Sequence, residues 1–181
     1  MRGLVFTEFL DFVEKTAGPE MVETMLESCN LASGGAYTSV GTYDHEEILN
    51  MLAFLNQATG QDVSDMVTAF GRNLFAQLAV HHPAIVQSSE TLLDFLEGIE
   101  THIHREVRKL YPDAELPYFE TVRPRKNMLI MTYQSSRPFV DLAHGMINGA
   151  VDHFKDTVRI ARENMPVASG YCARFQVAVI G

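Results

Sequence analysis

The chain has 181 residues, 46% of them hydrophobic, with 14 basic and 23 acidic side chains and a net charge of −9. Apolar content of that size fills one substantial core, and the acidic balance argues against nucleic acid or an anionic membrane as the main partner. No stretch reaches the roughly 20 apolar residues of a membrane span, and Glu8, Asp11 and Glu14 break up any signal-peptide core.

Helical periodicity dominates up to Pro117. Residues 3–16 carry Val5, Phe6, Phe9, Leu10, Phe12 and Val13 at helical spacing and stop at Gly18-Pro19. A second helix spans Glu20 to Cys29, ahead of a Gly34-Gly35 turn. Asp44 suits the N-cap of a third, through Ile48, Met51, Leu52 and Leu55, ended by Gly60. Val63 to Val80 makes a fourth, with Pro83 beyond it. The longest helix is expected from a Ser88/Ser89 cap to Tyr111, with the stripe Leu92, Leu96, Ile99, Ile103, Val107 and Leu110.

After Pro117 the texture changes. Residues 118–122 are strand-like, Pro124-Arg125-Lys126 reads as a turn, and a second strand starts at Asn127. Pro138 suits the first turn of a helix reaching Lys155. Thr157 to Asn164 reads as strand, and Ala173, Phe175, Val177 and Val179 alternate along a further strand that begins near Tyr171. The class is α+β: a helical N-terminal half packed on a small antiparallel sheet with one covering helix. There is no internal repeat, phosphate-cradling glycine loop or nucleophile elbow.

The second strand ends in Tyr133-Gln134-Ser135-Ser136-Arg137-Pro138. Strand alternation would aim Tyr133, Ser135 and Arg137 to one side, spread over about 6–7 Å. A phenol, a hydroxyl and a guanidinium on one face suit one or two carboxylates. Residue chemistry alone stops at a carboxylate-binding strand edge, and a half-exposed strand end with an ordinary surface Arg has the same pattern. The long helix carries His102 and His104 about 100° to either side of Ile103. Amphipathicity therefore selects neither as a metal ligand.

The motif spacing resembles the Tyr-x-Ser-x-Arg motif of the heme nitric oxide/oxygen-binding (H-NOX) family, whose members use it to grip the heme propionates. The run from Gly98 to Tyr111 resembles that family's proximal-histidine helix, and Met1-Arg2-Gly3-Leu4-Val5-Phe6 its N-terminus. The length fits one such domain, residues 1–181. The resemblance implies a distal helical part at 1–63 and a proximal heme-bearing part at 64–181, with heme b (iron protoporphyrin IX) buried between the halves. No Cys-x-x-Cys-His is present to attach it covalently. The family's register places the ligand one residue after an apolar position and two before an acidic one, which lands on His104 and leaves His102 partly exposed. The resemblance also puts Val5, Phe9, Leu74 and Leu78 on the distal wall and Pro117 against the porphyrin. As side chains alone, these five read equally as core packing and a loop proline.

Oxygen-binding members of that family carry a distal tyrosine five residues after the motif arginine; here the position is Leu142, with Phe139 and Val140 nearby. Bound O2 takes up negative charge and gains from a hydrogen-bond donor, whereas NO binds ferrous iron strongly without one. An apolar pocket thus favours NO and CO. His144, two residues on, is expected to point elsewhere. The resemblance implies a cytoplasmic, non-enzymatic sensor: NO binding opposite His104 releases that ligand, the proximal helix shifts, and a separate effector responds. In bacteria the effector is a histidine kinase or a cyclic-di-GMP-metabolising enzyme. Glu100, Arg105, Glu106 and Arg108 are then candidates for surface that a partner reads, or simply a solvated helix face. A heme-based O2/NO carrier or redox protein is the alternative, and a non-heme module for apolar ligands a third. Cys29 and Cys172 are too few for a disulfide framework or a four-thiolate zinc site.

Overall fold

The computed structural model describes residues 1–180. Helices α1 (Gly3–Ala17), α2 (Pro19–Ser28), α3 (Glu46–Thr59) and α4 (Val63–His81) form where periodicity and end signals agree. Pro19 opens α2, at a position whose missing N–H costs no helix bond. Asp62 caps α4, its carboxylate accepting the Ser64 and Asp65 N–H groups. Gly60 ends α3 with a left-handed φ of 71°. Asp44 acts less directly than expected: α3 begins at Glu46, whose N–H donates to the Asp44 carboxylate at 3.1 Å, and His45 holds the cap position.

The expected helix from Ser88/Ser89 to Tyr111 is broken into three pieces. A short turn, α5 (Ala84–Gln87), precedes α6 (Leu92–Glu97); a π-helical turn (Ile99–His104) and α7 (Arg105–Leu110) follow. The cap of α6 is Thr91, whose hydroxyl accepts the Asp94 N–H, so neither Ser88 nor Ser89 starts it. At Gly98 one carbonyl accepts two N–H groups, from His102 at 2.9 Å and Ile103 at 3.4 Å. That sharing between the i+4 and i+5 positions widens the next turn into π geometry. The apolar stripe survives the break: Leu92 and Leu96 are fully buried, and Ile99 and Ile103 pack on the same core. The Leu110 side chain lies outside the described positions.

Strands β1 (Tyr118–Arg125), β2 (Met128–Ser135), β3 (Val158–Met165) and β4 (Tyr171–Val179) form an antiparallel sheet in the order β1-β2-β4-β3. Pro124 lies within β1, not in the turn; the register slips between Val122 and Arg125. A residue without an N–H is tolerated at an irregularity on an edge strand. The covering helix α8 (Val140–Phe154) starts two residues after Pro138. Ser135 Oγ accepts the Arg137 N–H, and the Arg137 carbonyl accepts that of Phe139, so the chain bends before the helix begins.

The core divides into two apolar clusters. Phe6, Phe9, Val13, Met25, Ile48, Met51 and Leu52 form the first with Val67, Phe70 and Leu74 of α4. Phe75 of α4 belongs to the second, with Leu92, Leu96, Leu129, Met131, Tyr133, Ile147, Phe175 and Val177. Helix α4 is thus shared. Between Leu74 and the N-terminal half of α4 it crosses α8 at glycine: a Cβ on Gly145 would lie 2.0 Å from the Thr68 carbonyl oxygen and 2.9 Å from Gly71 Cα. Among the described residues no helix is long and apolar enough to cross a membrane.

Candidate functional site

His104 closes the π turn with its side chain only 13% exposed. Its ring packs on Phe119 of β1 (centroids 5.9 Å apart), and Phe119 in turn on Tyr133 of β2 at 5.5 Å. Helix, edge strand and motif strand are joined by this aromatic chain. The Nδ1 atom lies 3.0 Å from Glu100 Oε2. Glu100 also receives Arg108 at 2.7 Å and the Phe119 N–H at 3.4 Å. Burial pushes the Glu100 carboxyl up, but Arg108, His104 and the Phe119 N–H together hold it below its ordinary value. An anionic Glu100 can only accept, so His104 carries its proton on Nδ1. Burial lowers the His104 pKa, with Glu100 and the Pro117 carbonyl pulling the other way. The imidazole is therefore neutral near pH 7, with the Nε2 lone pair free for a metal. His102 is exposed, its Nδ1 2.9 Å from the hydroxyl of Thr101.

The motif side chains come together at the end of β2. Tyr133 is 1% exposed on the inner face, the alternation that also buries Leu129 and Met131. Burial raises its pKa, while Ser135 and Arg137 draw it back. Arg137 sits beyond the strand end, in the bend made by Ser135, and pairs with Glu115. The N-terminal amine lies near this guanidinium: burial first, then Arg137, lowers its pKa. That amine donates to the Tyr43 carbonyl at 2.6 Å. A cation, two hydroxyls and a fixed backbone bend thus converge where carboxylates could be held.

The other sequence-derived positions fall as follows. Phe9 and Leu74 are buried in the first cluster; Val5, Leu78 and Leu142 pack against it, partly buried. Pro117 is half-buried in the segment leading into β1. Leu142 borders a small cavity with Met1, Val5, Ile48, Val67, Phe70 and Phe139. His144 faces away from it, its ring 5.8 Å from Phe175 on the sheet side. Ile48, Phe70 and Phe139 were not singled out from sequence as pocket walls, because bulky apolar residues on helices carry no mark of which cavity they face. Glu100 was read as surface. Its spacing of four before His104 was the available signal.

These donors fit heme b. One buried neutral imidazole, a cation with two hydroxyls, and apolar side chains from α1, α4 and α8 are the three things a non-covalent porphyrin needs.

The comparisons agree. A family model described as haem-NO-binding matches residues 2–162. The chain is similar to the Fe(II) unliganded H-NOX protein of K. algicida, at 35% identity and a TM-score of 0.93, covering 100% of this chain and 97% of that one. It is similar to the S. woodyi H-NOX solved with IWP-051 in the Fe(II)CO state, at 39% identity and TM-score 0.84, covering 99% and 95%. The S. oneidensis H-NOX protein in the Fe(II)NO state follows at 26% identity and TM-score 0.90, covering 100% of each chain. Comparison with curated proteins gives no match.

Proposed function

The chain belongs to the H-NOX family of heme-binding gas-sensor domains, which are not themselves enzymes, and from that premise we propose that it is a ferrous b-type heme sensor of nitric oxide. His104 is the iron ligand, and Tyr133, Ser135 and Arg137 hold the propionates, with Arg137 exchanging Glu115 for one of them. Pro117 bears on the proximal face. Val5, Phe9, Leu74, Leu78 and Leu142 wall the distal side. Bound heme would supply a ferrous iron that takes NO or CO, with His104 as the protein ligand that NO binding would release.

The observation that carries NO selectivity is the apolar lining of the cavity beside Leu142. The side chains bordering that cavity are all apolar. Of the polar groups packed with the same cluster, the Met1 amine donates to the Tyr43 carbonyl and the Tyr37 hydroxyl to Glu47 at 2.7 Å. O2 thus gains nothing here that NO lacks.

The imidazole is tied to Glu100 and Phe119, so a shift of His104 would carry the π turn and β1 with it. We take 1–63 and 64–181 as the bodies that shift against one another. The signal passes to a separate effector, a histidine kinase or a cyclic-di-GMP-metabolising enzyme. Cys29 and Cys172 are both free thiols, which suits the reducing cytoplasm where we place the protein.

The test is the absorption spectrum of anaerobically reduced protein, with separate samples given air and NO. A five-coordinate ferrous Soret band, unchanged in air and converted by NO to a five-coordinate nitrosyl band, is the expected result. A stable oxy spectrum would refute the NO assignment. Loss of heme in His104→Gly, restored by added imidazole, with His102→Gly unaffected, checks the ligand.

A further inference from the structure

We propose that Glu100 is a positioning residue for the iron ligand, and that the Arg108–Glu100–His104 chain sets how strongly the imidazole binds iron. This rests on the assignment of His104 as that ligand. The geometry is specific. Glu100 is charged, yet its side chain is only 16% exposed, and a carboxylate is driven from such a place unless several donors hold it. Three do, from three elements: the imidazole on the π turn, Arg108 on α7 and the Phe119 backbone on β1. Tethering to β1 fixes the ring relative to the sheet, so Glu100 orients the imidazole as well as accepting its proton.

Two consequences follow. Fixing the proton on Nδ1 leaves Nε2 as the ligating atom and removes the wrong tautomer. A full carboxylate at 3.0 Å also pushes electron density onto the ring, which strengthens the bond from Nε2 to a metal. Arg108, reaching Glu100 Oε1 at 2.7 Å, draws charge off the carboxylate and moderates that push. The two neighbours of His104 in this chain therefore act with opposite signs. A carboxylate accepting the Nδ1 proton raises the threshold at which the ligand lets go, and the arginine lowers it.

The test reads the iron–histidine stretching band by resonance Raman on reduced heme-loaded protein. Glu100→Gln keeps an acceptor of the same shape without the charge, and the band moves to lower wavenumber. Arg108→Met leaves the carboxylate uncompensated, and the band moves to higher wavenumber. Transfer of heme to an excess of a scavenging apoprotein becomes faster in Glu100→Leu, by roughly 10-fold or more, the usual scale for losing a ligand's hydrogen-bond partner. A purely structural role for Glu100 would shift both band positions the same way or leave them alone, and either result overturns the inference while the His104 assignment stands. Absence of any iron–histidine band in the unsubstituted protein would overturn both.

Discussion

Gly145→Ala perturbs the close backbone crossing of α4 and α8. The new methyl group meets the Thr68 carbonyl oxygen at 2.0 Å and Gly71 Cα at 2.9 Å. Restoring contact near 3.5 Å requires α4 and α8 to part by about 1.5 Å. Neither obstacle is the flexible end of a side chain, so relief comes only from moving a helix. Overpacking of this kind costs about 1–3 kcal/mol, against which alanine regains up to about 1 kcal/mol of helix propensity. The net, from the middle of these ranges, is a loss of about 1–2 kcal/mol. For a chain of this size that lowers Tm by roughly 2–8 °C. Thermal unfolding followed by far-UV circular dichroism, on heme-loaded protein at fixed heme saturation, measures it. Gly71→Ala, with its Cβ 2.4 Å from the Leu142 carbonyl oxygen, destabilises similarly. The double variant costs less than the two added together, because helices already parted admit the second methyl more easily. An unchanged or raised Tm in Gly145→Ala would show that the crossing is loose and refute the reasoning.

Leu142→Tyr introduces a phenol into the apolar pocket and yields a protein that holds O2 in air, read as an oxy spectrum absent from the parent. Glu47, 5% exposed, accepts from Ser33 at 2.5 Å and Tyr37 at 2.7 Å; Glu47→Leu strands both hydroxyls and lowers unfolding free energy by about 1–3 kcal/mol in urea titration. Burial first, then Arg162, holds the His144 imidazole below its ordinary value of 6.5. Its folded value is depressed, so its contribution is complete above 6.5 and is lost as pH falls from there toward the folded value. His144→Phe, which keeps a ring against Phe175, should therefore lose less Tm than the parent on acidification through that window.

Much of the fold was legible because periodicity and end signals coincided. Helices α1, α2 and α4 and strands β2, β3 and β4 lie within a residue or two of where Gly18-Pro19, the Val63 start and the alternation of Ala173, Phe175 and Val177 put them. The long helix failed for a local reason. Its apolar stripe is continuous, but Thr91 offers a better cap than Ser88 or Ser89, and the Gly98 carbonyl is shared by two donors. Stripes report which face is buried, not whether the backbone between buried residues is unbroken. At the site, the alternation of Tyr133 and Ser135 was visible, whereas Arg137 reaches the same place only through a bend made by a side-chain hydrogen bond. Glu100 gave only its spacing of four before His104 as a signal, because its burial also depends on Phe119, which the first strand brings against the helix.

The sharing of α4 between two apolar clusters bears on how the lineage of this chain can change length. Val67, Phe70 and Leu74 face one cluster and Phe75 the other. One residue inserted between Phe70 and Phe75 would rotate everything after it by about 100°, turning Phe75 out of its cluster and Gly71 or Leu74 out of register with α8. Deletions do the same in reverse. Insertions between α2 and α3, or between β3 and β4, disturb neither cluster in this way. Drift in length should therefore collect in those connections, while α4 keeps its residue count even where its sequence has diverged.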